Sequence, residues 1–135
     1  MFKRGFTILE VMIVVIIIGI LSSVALPQYI TTLEKGKSAE AVTNIGSIRT
    51  ALDRYWYQNA SGTNSIDDLD IDNPNSVTNR LYQYSISSSC TESTRSYTID
   101  ADRIGKETDY WVTWTQTDNT NGKLTRSSKL GGPTS

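Results

Sequence analysis

"GFTILEVMIVVIIIGILSSVALPQY", residues 5–29, decides the architecture: it is apolar enough to cross a membrane, yet it carries one carboxylate, Glu10, close to its start. The run from Phe6 to Leu26 is 21 residues, roughly 30 Å as a helix and so about the thickness of a bilayer core. Thr7, Glu10, Ser22 and Ser23 are its only polar side chains. An acid in such a segment costs about 3 kcal/mol on insertion scales, which marks it as functional.

Upstream lies a short basic head, Met1 to Gly5, with Lys3 and Arg4. A basic n-region and an apolar h-region are also the marks of a secretory signal peptide. Here the apolar stretch is longer than a usual h-region, and Pro27, Gln28 and Tyr29 follow it in place of a small-residue cleavage site. The bias of positive charge toward the cytoplasm predicts an N-terminus inside and the bulk of the chain exported.

Downstream, Ala41, Ile45, Ile48, Leu52 and Tyr55 recur at helical spacing with Val42 and Trp56 beside them, one apolar stripe. Asn44, Ser47, Thr50, Asp53 and Arg54 make the wetter faces. The spacing predicts a helix that begins in the membrane and runs to about Asn59. Pro27 removes the hydrogen bond to the Ser23 carbonyl and Gly36 weakens the helix, so kinking or local unwinding is expected near them. "NASGTN" (59–64) then ends the helix, and an Asp-rich loop leads to Pro74.

Beyond residue 80 the period changes to two. Tyr82, Tyr84 and Ile86, then Tyr97, Ile99 and Ala101, then Tyr110, Val112 and Trp114 alternate with polar residues, predicting three half-buried strands. The Asn121–Gly122 pair in "TNGK" (120–123) signals a hairpin that returns "KLTRSS" as a fourth antiparallel strand. The expectation is an α+β chain: residues 1–5 a leader, 6–30 a membrane or filament-core helix, and 31–135 a two-layer head. Within the head, the amphipathic helix reaches about 59, a loop covers 60–79, and a small antiparallel sheet of three or four strands covers 80–130.

Composition narrows the chemistry. The chain of 135 residues has no histidine, which removes imidazole-based catalysis and metal binding, and Cys90 is its only cysteine, so an intrachain disulfide cannot form. Cys90 reads as a small buried hydrophobe. Beyond Lys3 and Arg4 there are 11 basic and 14 acidic side chains, a net of −3, unlike the basic footprint of a nucleic-acid binder. No nucleophile with its base, and no paired carboxylates, occur at recognisable spacing.

Asp68, Asp70 and Asp72 match the start of a calcium loop, but Asn73 and Asn79 stand where that loop needs Gly and Glu, so the stretch reads as a solvated acidic loop. Asp100 and Asp102 mark an exposed strand face. Tyr55, Trp56 and Tyr57 read mainly as core packing. Asn59-Ala60-Ser61 is a glycosylation-type triplet of a kind that arises often by chance. No catalytic residue, metal site or cofactor is expected.

The basic leader ending in Gly5, then Phe6-Thr7-Ile8-Leu9-Glu10 and an apolar helix through Pro27, with a small sheet behind, resembles the prepilin signature of type IV pilins and their relatives, the pseudopilins of type II secretion and competence systems. The resemblance is specific over residues 4–29 and weaker through "ALDRYWYQNASG" and "SIDDLDIDNP". It implies that a prepilin peptidase cuts after Gly5 and that Phe6 becomes the N-methylated first residue. Glu10 then falls at the family's glutamate, and Gly19, Pro27 and Tyr29 also fall where similar subunits have theirs. In low dielectric a carboxylate four residues from the new α-amino group neutralises that charge, in its own chain or a neighbour's.

The resemblance implies a homo-oligomeric helical filament raised from the inner membrane by assembly platform proteins. The subunit would sit there as a single-pass protein, then in an extracellular pilus or a periplasmic pseudopilus. One cysteine cannot form the C-terminal disulfide of many type IVa pilins. The stretch "DNTNGK", with Asp118, Asn119 and Asn121, lacks the second acid of the calcium loop in many major pseudopilins. Pilus subunit, pseudopilin and membrane-tethered domain that never polymerises are the three readings carried forward.

Overall fold

The computed structural model describes residues 5–119 and 121–133. Lys3 and Arg4, the basic pair of the expected leader, lie outside the described residues, as does Thr120 of the expected turn. The chain divides into two compact units, one ending at Leu33 and the other beginning at Glu34.

The first unit is apolar helix. Helix α1, Ile8–Asn59, starts in it, and every residue from Gly5 to Ile30 is exposed. Among the described residues, this is the one helix long and apolar enough to cross a membrane. The helix is unbroken at both Pro27 and Gly36, so the expected local unwinding is not observed. A proline deletes a single rung of the ladder, and nearby hydroxyls bond helix carbonyls: Ser23 Oγ donates to Ile20 O at 2.7 Å, Thr31 Oγ1 to Pro27 O at 3.1 Å and Thr32 Oγ1 to Gln28 O at 2.9 Å.

The second unit is a helix on a sheet. Four strands, β1 (Tyr82–Ser88), β2 (Tyr97–Arg103), β3 (Trp111–Gln116) and β4 (Lys123–Arg126), form an antiparallel meander in sequence order. Register pairs Ile86 with Ile99, Ile99 with Trp114, and Trp114 with Leu124, so apolar residues share one face. The stripe from α1 (Ala41, Ile45, Ile48, Ala51 and Leu52) joins Tyr82, Tyr84, Ile99 and Val112 in one core, each fully buried large side chain contributing about 1.5–3 kcal/mol. Val42 and Tyr55 flank it, half-buried.

Between helix and sheet, residues 60–79 contain two short 3-10 turns, Ile66–Asp68 and Pro74–Ser76. The second positions Asn75 against the outer edge of β1. Its Oδ1 accepts the Tyr84 N–H at 2.9 Å while its Nδ2 donates to Tyr84 O at 2.8 Å, as a neighbouring strand would. Asn64 Oδ1 accepts Ser88 N–H further along the same edge, at 2.6 Å.

The β3–β4 hairpin forms as expected, but not through a tight Asn-Gly turn. Left-handed backbone occurs at Asp118 (φ 47°) and Asn119 (φ 62°), ahead of the Asn121–Gly122 pair. These two residues are held by hydrogen bonds of Asp118 with the Ser96 hydroxyl and by Asn119 Oδ1 accepting Arg95 N–H at 2.8 Å. Gly122 is needed for another reason: a Cβ there would lie 2.1 Å from the Trp114 ring.

Candidate assembly site

The N-terminal residues expected to act after processing form one local structure. Thr7 immediately precedes α1, and its Oγ1 accepts the Glu10 N–H at 3.2 Å. Thr7-Ile8-Leu9-Glu10 thus has the spacing of a capping box, with the hydroxyl at the N-cap and the acid at the third helical position. The sequence showed this spacing all along; the anomaly of an acid in an apolar run drew attention away from it. Glu10 is favoured there by the positive end of the helix dipole.

Phe6 and Glu10 line one shallow, almost wholly apolar groove of about 270 Å³ with Val11, Val14 and Val15. Phe6 is 82% exposed. Pro27 lies far along the helix and takes no part in this groove; its position is that of an interior helix residue.

In the second unit the structure assembles a cluster with no counterpart in the expected sites. Glu34, 3% exposed, accepts three charged donors: Arg103 Nε at 3.1 Å on Oε2, and Lys37 and Lys106 Nζ, each at 3.3 Å, on Oε1. Arg103 also donates through Nη1 to Leu81 O at 2.9 Å, which fixes the guanidinium. Burial pushes the Glu34 carboxyl up, but the hydrogen bonds from Arg103, Lys37 and Lys106 outweigh it and hold it below the usual glutamate range. Tyr82, under Arg103, has a buried hydroxyl with no hydrogen-bond partner among the described residues, and burial pushes it up to about 12. The Glu34–Lys37 spacing was the only local hint, since Arg103 and Lys106 arrive from the far end of β2.

The acidic loop is engaged by its own surroundings. Asp70 accepts both Arg54 Nη2 at 2.7 Å and Nε at 2.9 Å, Asp68 accepts Thr63 Oγ1, and Asp67 accepts Asn73 Nδ2. Asp100 accepts Thr113 Oγ1 on the outer sheet face. Cys90 is half-buried against the core, its Sγ 3.5 Å from Ser96 O. Of the aromatic triplet, Trp56 donates from Nε1 to Thr91 O at 2.7 Å, while Tyr57 is 72% exposed and does not enter the core.

The described residues thus combine a capped apolar helix, with one carboxylate in its first turn, and a helix-on-sheet head. Residues 1–26 match the family model "Prokaryotic N-terminal methylation motif". The chain is 46% identical over 58 residues to type II secretion system core protein G of Vibrio cholerae, covering 43% of this chain and 40% of that one. It is 42% identical over 57 residues to the protein G of Pectobacterium carotovorum, covering 42% and 36%. To the type IV major pilin PilA of Myxococcus xanthus it is 50% identical over 54 residues, covering 40% and 24%. The chain thus spans two fifths or less of the length of these relatives. No solved structure matches it significantly. Over its N-terminal two fifths the chain is similar to type II secretion core protein G and to a type IV major pilin.

Proposed function

We propose that this chain is the structural subunit of a type IV pilus, cut after Gly5 by a prepilin peptidase, methylated at Phe6 and polymerised into a helical filament. Before assembly it spans the inner membrane once, N-terminus inside; platform proteins then draw it into the filament. The observation that carries the reading is the first unit: from Gly5 to Ile30 every residue is exposed although nearly all are apolar. Lipid covers that surface first and neighbouring helices cover it afterwards, without a change of fold. Contacts that repeat head to tail without closing give a filament.

Glu10 supplies the register. Its carboxylate, beside Phe6, would pair with the α-amino group of its own or the adjacent subunit, and a misplaced subunit would leave a buried charge uncompensated. The work is assembly, with no substrate turned over. The several protein G relatives favour one second reading, a pseudopilin of a type II secretion or DNA-uptake system. A tethered, non-polymerising domain is the remaining alternative.

Intact-mass spectrometry separates the three. A species beginning at methylated Phe6 in material sheared from the cell surface is the expected result. Processed chain found only in membranes points to the pseudopilus, and retention of residues 1–5 in every fraction overturns both.

A further inference from the structure

We infer that a groove on the head, between the start of β3 and the 3-10 turn Ser128–Leu130, is a binding site for a neutral saccharide. The inference concerns the head alone and holds for a pilus or a pseudopilus subunit. The groove has a volume of about 460 Å³, in the range of small-molecule sites. Val112 points into the core, so half-buried Trp111 stands on the outer face of β3, and Thr125, paired with Thr113, shares that face. Ser127 donates its N–H to Trp111 O at 3.0 Å, and buried Leu130 roots the turn that lends Lys129 to the groove.

The polar groups lining this groove are incompletely used. Ser127 is 4% exposed, and its Oγ has no hydrogen-bond partner among the described residues, although the residue stands at the N-cap of the turn. A buried hydroxyl left unanswered is costly. Serine has three staggered rotamers, and the residue lines the groove, so a ligand hydroxyl there is the available partner. Lys129 Nζ meets Asp109 Oδ2 at 2.7 Å, with both side chains half-exposed. An ammonium has three N–H groups and a carboxylate two oxygens, so each keeps capacity for a further bond.

The chemistry of the lining selects the ligand. A simple anion would face Asp109, and Asp102 across from Trp111, whereas a cation would face Lys129 and Arg126. An apolar molecule would cover the ion pair and the serine hydroxyl without answering either. A pyranose has an apolar C–H face for the indole ring. Its rim carries vicinal hydroxyls that donate and accept side by side, as the open edges of the Lys129–Asp109 pair require.

The test uses the full chain in phosphatidylcholine nanodiscs, which present no sugar. Saturation-transfer difference NMR is recorded with methyl α-D-glucopyranoside, methyl β-D-galactopyranoside and methyl N-acetyl-β-D-glucosaminide. At least one is expected to bind with a dissociation constant of about 1 mM, its transfer greatest at the C–H protons of one ring face. Asp109→Asn, at the half-exposed rim, should weaken that affinity about tenfold by removing the charged acceptor. Trp111→Ala should abolish the transfer while circular dichroism shows the head still folded. Transfer no greater than from empty nanodiscs with all three sugars overturns the proposal, as does transfer at full strength in both variants. Binding of methyl β-D-glucuronide with none of the neutral sugars overturns the assignment of an uncharged ligand.

Discussion

Glu34 is buried among cations of the head, whereas Glu10 is exposed near the start of α1. Glu34 already has its cations. Removing its charge by Glu34→Gln leaves Arg103, Lys37 and Lys106 crowded without a counter-ion, and the expected loss is about 3–5 kcal/mol of head stability, measured by urea unfolding. The pH dependence follows from the direction of its shift. Because the folded carboxyl titrates below its ordinary value, its stabilisation is fully present above the unfolded value and is lost as pH falls through the folded one. Wild-type stability should therefore decline from about pH 4.5 downward, with a shallower decline in Glu34→Gln; equal slopes would sink the assignment. Glu10 awaits its partner, and Glu10→Ala should abolish sheared filaments while membrane insertion and cleavage after Gly5 persist. Normal filament yield from that variant would remove the pairing argument. Sequence alone exposed Glu10 because an acid in an apolar run is anomalous. Glu34 was hidden because its partners lie 69 and 72 residues away.

At the scale of elements, the strands were legible because burial alternates cleanly: β1 and β2 bury Tyr82, Tyr84, Ile86, Tyr97, Ile99 and Ala101, the residues whose spacing singled them out. The α1 stripe was legible for the same reason at its own period. What misled was local chemistry whose purpose is tertiary. Asn121–Gly122 looks like a tight turn, whereas the glycine is there because the Trp114 ring leaves no room for a Cβ. Gly122→Ala should cost about 1–3 kcal/mol by overpacking, with a shift in Trp114 fluorescence. If the glycine served only a turn, the emission would not move. At Pro27 the local unwinding half of the expectation fails, since one missing rung does not interrupt a helix hydrogen-bonded on both sides.

On the scale of the whole molecule, the two units differ in what they bury. Among the described residues, all the buried large side chains belong to the head, and none to the stretch before Glu34. A head beginning at Thr31 should consequently fold as a soluble monomer with one cooperative transition, checked by coincident circular dichroism and tryptophan fluorescence in urea. A chain that needs residues 6–30 to fold would show no such transition. This division was readable from composition, because the apolar run ends at Leu26 and only a single apolar stripe continues from Ala41 onward. The capping of α1 by Thr7 and the ion pairs of Glu34 with Arg103 and Lys106 were not, since neither changes composition.

Asn75 bears on how such a chain stays well behaved while crowded. An open strand edge is a template on which identical chains stack irreversibly, and subunits stored side by side would be especially exposed to it. Along β1 the Tyr84 amide and carbonyl are already answered by one asparagine side chain, and Ser88 by another. The margin of the sheet is thus closed to cross-strand templating at those rungs, so crowded heads meet along surfaces other than this edge.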